Sequence, residues 1–259
     1  MIAQSAQATG TRARVHIKVD TGLNRNGVTV DELPALLAAV ASHSAHVQLV
    51  GVMSHFAYAD EPAHQTVSAQ LKLFTHAVDL VRAAGFNPEV IHLANSAACM
   101  TLPQSHFNLV RPGLAIYGIS DHLDVTPVMT LQAPVAMVKQ VPAGQGVSYS
   151  HTYTTKTDTR LALIPMGYAD GIPRHASNRG PVAVAGTTVP VAGRVCMDQF
   201  MVDVGDLPVQ VGDEVVLFGD PSKGVPSIND WAEAADTISY EIMTRLGTRV
   251  ARQYINTPW

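Results

Sequence analysis

Apolar and polar positions in the first 120 residues switch between two periods. RVHIKVD (14–20) sets Val15, Ile17 and Val19 against His16, Lys18 and Asp20, the period of a strand with one covered face. Leu33, Leu36, Leu37 and Val40 then fall at 0, +3, +4 and +7, a helical stripe. Its cap is Thr29, with Glu32 closing a capping box, or Asp31; Pro34 favours Asp31, because proline then sits in the first turn where no amide bond is lost. VQLVGVMSH (47–55) reads as a second strand. Val67, Leu71, Phe74, Val78 and Val81 line one face of a long helix that Gly85 stops. EVIHLAN (89–95) is a third strand, and NLVR (108–111), before Pro112-Gly113, a short fourth. This alternation predicts parallel β/α units.

The pattern changes near residue 125. Short β-rich runs follow, punctuated by PAGQG (142–146), NRG (178–180), AG (185–186) and VGD (204–206 and 211–213). One helix signal remains, from about Asn229 to Arg249. A domain boundary is expected at 122–128, dividing the chain into 1–124 and 125–259.

Composition narrows the class. Apolar residues are 47% of the 259 and charged residues 15%, enough for a substantial core and too apolar for disorder. A net charge of −4 without a basic block argues against nucleic-acid or membrane-surface partners. Cys99 and Cys196 make no disulfide framework, which suits a reducing cytoplasm, and no apolar run has signal-peptide or membrane-span length.

The candidate chemistry collects at the strand ends: Lys18 and Asp20, His55, Asn95 and Ser96, and Arg111. Parallel β/α folds build active sites at that edge. Taken singly, His55 is a structural histidine, Lys18 snorkels to solvent, and Arg111 pairs with Asp20 or Asp121. HFAYADEPAH (55–64) lacks a convincing metal-ligand spacing, so no metal is expected. Together, the cations, the Ser96 hydroxyl and the Gly113 backbone point to a barrel-like enzyme that binds a phosphorylated ligand.

HIKVDTGLNRNG (16–27), GVMSHFAYADE (51–61), HLANSAA (92–98), LVRPGLAIYG (109–118), GQGVSYSHTY (144–153), IPMGYADGIPR (164–174), GRVCMDQFMVDV (193–204) and ISYEIMTRLGTRVAR (238–252) resemble the motifs of alanine racemases, in order. The resemblance spans roughly residues 13–255. It implies an α/β fold: part of a β/α TIM-type barrel over 1–124, then the family's β-rich domain over 125–259. It also implies pyridoxal 5'-phosphate (PLP) as cofactor, alanine as substrate, a head-to-tail homodimer with shared sites, and D-alanine supply for peptidoglycan. Carried over by motif, the cofactor phosphate meets Ser96, Gly113, Leu114 and Tyr240, with Asn95 beside it. Arg111 faces the pyridine nitrogen and His55 supports it. Arg25 and the Met197 amide meet the substrate carboxylate, and Lys18 matches a lysine carried as a carbamate that holds Arg25. Tyr149 matches the base acting on L-alanine, supplied by the partner subunit. A tyrosine hydroxyl ordinarily ionises near about pH 10, so it needs help to act as a base. Tyr168, Arg174 and Asp198 match supporting positions.

The family's cofactor-bearing lysine, also its second base, follows the first barrel strand, upstream of the region matching residue 13. None of Lys18, Lys72, Lys139, Lys156 and Lys223 lies in that motif. With four strands where the family has eight, the expectation is a truncated chain lacking the barrel's first half and inactive alone. The alternatives are a non-catalytic fragment or phosphate- or PLP-binding module, and a related PLP-barrel racemase for another amino acid such as serine.

Overall fold

The computed structural model describes residues 1–120 and 125–255. The described chain divides into two compact units, residues 1–116 with Ser120 and Val125, and residues 117–119 with the remainder. Residues 122–124, across which part of the expected boundary runs, lie outside the described residues.

The first unit is built from α1 (Ile2–Ala8), β1 (Ala13–Lys18), α2 (Leu33–Ser42), β2 (Val47–Met53), α3 (Gln65–Ala83), β3 (Val90–His92) and α4 (Ser96–Thr101). Its sheet is parallel in the order β1-β2-β3. Ile17, Val19, Leu49, Val52 and Ile91 pack with Leu33, Leu37, Val67, Phe74, Val78 and Val81 in one core. This is the β/α layering that the two periodicities predict. Gly85 stops α3 as expected: at φ 85 it lets its amide reach Arg82 and the Phe86 amide return to Val81.

Two expectations fail in this unit. The N-cap of α2 is Glu32, neither Thr29 nor Asp31, and no side chain bonds the helix start there. Thr29 and Glu32 instead bond each other in the turn just before it. Thr29 Oγ1 donates to Glu32 Oε2 at 2.7 Å, Glu32 N donates to Thr29 Oγ1 at 3.4 Å, and Leu33 N already reaches Thr29 O. The other is NLVR (108–111), which is not a strand. Asn108 N donates to Ile91 O and Arg111 N to Ala94 O, but the return partner of Ile91 N is the Asn108 side chain at 2.7 Å. Phe107 at φ 50 and Pro112, which has no amide hydrogen, frame the segment. It follows β3 without a regular ladder, so the sheet has three strands among the described residues, not four.

The second unit holds β4 (Leu131–Pro134), β5 (Met137–Val141), β6 (Gly146–Val147), β7 (Tyr153–Thr154), β8 (Thr159–Ile164), β9 (Pro181–Val184), β10 (Thr187–Pro190), β11 (Phe200–Asp203), β12 (Glu214–Phe218), α5 (Ile228–Ala234) and α6 (Ser239–Arg245). They form antiparallel sheets ordered β10-β9-β12-β4 and β11-β8-β5, with β6-β7 as a short ribbon. Trp231 on α5 is buried, and its indole donates to Leu217 O at 2.6 Å. The single helix expected over 229–249 is two helices. Asp236 is left-handed at φ 51, Thr237 N turns back to Ala232 O, and the Asp236 carboxylate takes His175 at 2.8 Å and Arg179 at 3.2 Å. A Schellman-type stop thus interrupts a continuous apolar pattern. Among the described residues no helix is long and apolar enough to cross a membrane, and no three metal-ligating side chains cluster.

Phe74, fully buried and edge-on to Phe107 with ring centroids 5.2 Å apart, anchors α3 to the first unit. Phe74→Ala is expected to lower stability by about 3–5 kcal/mol, read from denaturant unfolding. A loss below about 1 kcal/mol on the same scale would show that the core refills the space.

Candidate functional site

Parallel pairing brings the C-terminal ends of β1, β2 and β3 to one edge, and Arg111 joins two of them. Its Nη2 donates to Ser54 O at 2.9 Å and Leu93 O at 3.1 Å, with His55 Nδ1 at 3.3 Å. Its Nη1 donates to His92 Nδ1 at 2.8 Å. The guanidinium is met by neutral acceptors rather than by a carboxylate, and burial lowers its pKa from the ordinary value. Asp20, one partner expected for it, instead accepts the amides of Gly22 at 3.0 Å and Asn24 at 3.1 Å, which hold its carboxyl below the usual range. Asp121, the other, lies outside the described residues.

His55 is pushed down by burial first, then by the charges of Arg111, Arg25 and Lys18. Those three cations therefore share its surroundings. Arg25 stands exposed in the loop after β1, and the Lys18 amine donates to Asn26 Oδ1. Ser96 Oγ accepts from Gly113 N at 2.7 Å and Ala115 N at 3.3 Å, while Asn95 caps α4 by accepting from Ala98 N at 3.1 Å. Leu114 begins the short turn that follows Gly113. The strand edge thus gathers Lys18, His55, Asn95, Ser96, Arg111 and Gly113 in one unit.

Sequence reasoning missed two residues here. His92 is buried, and its pKa falls to about 4, through burial first and then the Arg111 and His16 charges. Inside HLAN it is indistinguishable from a strand residue. Gln70 sits on the apolar face of α3, yet it is buried. Its amide nitrogen donates to Thr21 Oγ1 at 3.2 Å and His55 O at 3.1 Å, and its oxygen accepts from Ala57 N at 2.9 Å. A glutamine interrupting a helical apolar stripe was the available signal.

The second unit gathers the remaining candidates. Tyr149 is 69% exposed and bracketed by Ser148 (φ 62), Ser150 (φ 60) and His151 (φ 46). Ser148 Oγ donates to Arg194 O at 2.8 Å and lies 3.3 Å from Cys196 Sγ, tying the Tyr149 turn to GRVCMD. Tyr168 N and Ala169 N donate to Cys196 O and Met197 O, and a Cβ at Gly167 would collide with both carbonyls. Arg249 bridges Asp198 at 2.6 Å and the buried Asp170 at 2.8 Å. Arg174 joins the same region through Ser177, whose hydroxyl accepts from Val195 N. Tyr240 on α6 is exposed, and partial desolvation, then Tyr117, raise its pKa.

The chain matches two families, alanine racemase N-terminal domain over residues 1–121 and alanine racemase C-terminal domain over 128–254. It is 54% identical to alanine racemase of Salinispora arenicola over 258 residues, 97% of this chain and 69% of that protein. The alanine racemase structure from D-cycloserine-producing Streptomyces lavendulae matches with a TM-score of 0.95 at 50% identity, covering 98% of this chain and 69% of that one. The Bartonella henselae alanine racemase with covalently bound pyridoxal phosphate matches at 0.86 and 30% identity, with coverages of 98% and 69%. The expectation that the N-terminal half is missing is not borne out, since the N-terminal family matches from residue 1.

His92 gives the edge a pH signature. With its folded pKa near 4 against 6.5 in the open chain, the unfolded state binds the extra proton between those values. Its stabilising contribution is full above pH 6.5 and is lost as pH falls towards 4; His55 acts in the same sense. Urea unfolding midpoints are expected to drop across that window, and His92→Asn should flatten the drop. Parallel pH profiles for both proteins would contradict it.

Proposed function

The chain belongs to the alanine racemase family of isomerases, and from that premise we propose that it interconverts L- and D-alanine with PLP held at the strand edge of the first unit. The observation that carries this reading is the Arg111 guanidinium, fixed among neutral acceptors at the edge where Ser96 stands. Because Ser96 Oγ accepts from two backbone amides, its own hydroxyl hydrogen can go to a phosphate oxygen. With Arg111 and Arg25 near His55, these residues fit a phosphorylated, acidic cofactor.

In this reading the Ser96 hydroxyl and the Leu114 amide would hold the phosphate, and the Gly113 amide would set Ser96 by donating to its Oγ. Asn95 would fix the turn beneath, and Tyr240 is assigned to the phosphate by its motif. Arg111 would face the pyridine nitrogen, with His55 Nδ1 beside its Nη2 to steady it. When bound, PLP supplies an electron sink that makes the substrate Cα hydrogen acidic. Arg111 donates a hydrogen bond without surrendering its proton, which keeps that sink moderate. Arg25 and the Met197 amide orient the substrate carboxylate. Tyr149 would take the Cα proton of L-alanine and, in the D-to-L direction, return one to the same face. The proton on the opposite face requires a second base, a role that none of the five lysines fills by motif. Tyr168, Arg174 and Asp198 line the way in.

We further propose a homodimer in which Tyr149 of the partner subunit completes each site, in keeping with its exposure in a single chain. A cytoplasmic location and D-alanine supply for peptidoglycan belong to the same reading. Lys18 is proposed to carry a carbamate whose negative charge holds Arg25. In bicarbonate buffer the native mass should rise by one carbon dioxide, and Lys18→Gln should abolish the rise; an unchanged mass would rule the carbamate out.

The decisive test separates cofactor binding from proton transfer. Tyr149→Phe should lower PLP-dependent deuterium exchange at Cα of L-alanine by about 10²- to 10⁴-fold, with protein-bound PLP absorbance unchanged. Equal loss of exchange and absorbance would make Tyr149 structural, and unchanged exchange would remove it as the base.

A further inference from the structure

His16 on β1 has no part in the proposed reaction, yet it ends a line of hydrogen bonds that reaches Arg111. Its Nδ1 lies 2.9 Å from His92 Nε2, and the two rings meet edge-on at 5.1 Å and 74°. His92 Nδ1 in turn lies 2.8 Å from Arg111 Nη1. A guanidinium only donates, so His92 Nδ1 must be a bare acceptor. Burial and the Arg111 charge keep the His92 ring neutral, so it carries one hydrogen, and that hydrogen is on Nε2. His16 Nδ1 accepts it. With the His92 hydrogen on Nδ1 instead, two donors would face each other across 2.8 Å, and Arg111 would lose an acceptor.

The local backbone is shaped around the same ring. In the β1–β2 register Val15 pairs with Leu49 but His16 pairs with Gly51, an irregularity that skips Val50 and sets the imidazole over a glycine. A Cβ at Gly51 would lie 2.5 Å from both Cε1 and Nδ1 of His16 and 2.7 Å from Cγ. Any side chain at position 51 would therefore push the ring off its bond with His92.

We propose that His16 is a positioning residue of the reaction: by accepting the Nε2 hydrogen of His92 it fixes the tautomer through which His92 holds Arg111. This rests on the role given above to Arg111, but the hydrogen-bond line exists without cofactor and can be read without it.

The experiment is two-bond ¹⁵N–¹H correlation on the full chain with ¹⁵N-labelled histidine and arginine, with no PLP added. In the unaltered protein His92 should be the pure Nε2–H tautomer, with slowed exchange of the Arg111 Nη hydrogens. His16→Phe keeps a flat ring but removes the acceptor. It should mix the His92 tautomers and speed Arg111 exchange by about tenfold, the loss of one hydrogen bond to a charged group. His16→Asn, whose Oδ1 can stand for Nδ1, should restore both signals. Gly51→Ala retains the imidazole but displaces it, and should reproduce His16→Phe; it decides between the outcomes if His16→Phe does not fold. A pure Nε2–H tautomer with unchanged Arg111 exchange in His16→Phe or in Gly51→Ala overturns the proposal. Because the readout needs no cofactor, a failure of PLP to bind would weigh on the proposed function and leave the role of His16 in the hydrogen-bond line untouched.

Discussion

The constraint on which the first unit depends is the accommodation of the Arg111 guanidinium at the sheet edge without a carboxylate. A half-buried cation that lacks a counter-charge must be hydrogen-bonded to be tolerated. Arg111 meets this by taking Ser54 O beyond β2, Leu93 O beyond β3 and two histidine nitrogens. Each acceptor is held in turn. Ser54 donates from Oγ to Val19 O at 2.7 Å, and Gln70 grips the His55 carbonyl from α3. The strand ends are thus tied through the cation as well as through the ladder. A paired carboxylate would neutralise the charge, whereas neutral acceptors leave it available to an electron-rich ring or an anion.

The second unit faces a different constraint, the display of an exposed tyrosine on a strained turn. Ser148, Ser150 and His151 all occupy positive φ, a region that costs non-glycine residues about 1–3 kcal/mol each unless their surroundings hold them. The surroundings here are specific. Ser148 is bonded to the Arg194 carbonyl, Gly193 at φ 86 passes close under Val147 O, and Gly146 leaves room for the His151 ring. Local hydrogen bonds and two missing Cβ atoms offset the strain, so Tyr149 is fixed by its neighbours although its own side chain is open to solvent.

Much of this was legible in the sequence, and the limits have physical causes. Period-2 and period-3.6 patterns report burial, so β1, β2, α2 and α3 came out where expected, and the polar strand ends marked the edge carrying Lys18, His55, Ser96 and Arg111. What patterning cannot report is a polar group whose partner is distant in the chain. The partners of Gln70 and His92 could not be read from the pattern, because Thr21, His55 and Arg111 satisfy them across the fold. The expected strand at 108–111 failed for a related reason, since the Asn108 side chain takes the place of a backbone acceptor. Likewise the apolar run through 229–249 shows which face is buried, but not that Asp236, held by His175 and Arg179, turns left-handed and splits the helix.

Environment also decides which tyrosine of the SYSHTY stretch (148–153) can exchange a proton. Tyr153 follows Tyr149 closely in the chain, but its hydroxyl donates to Asp203 Oδ2 at 2.7 Å. Burial, and then that carboxylate, push its pKa up to about 12. Giving up that proton would place a phenolate against a carboxylate that Thr159 also bonds, two negative groups in contact. Tyr153 is therefore committed to tying β7 to β11. Tyr149 stands exposed beside Ser148, which anchors the turn to the loop bearing Met197, so its backbone is fixed while its side chain stays open to solvent. A single aspartate thus commits Tyr153 to structure and leaves the proposed role of base to Tyr149.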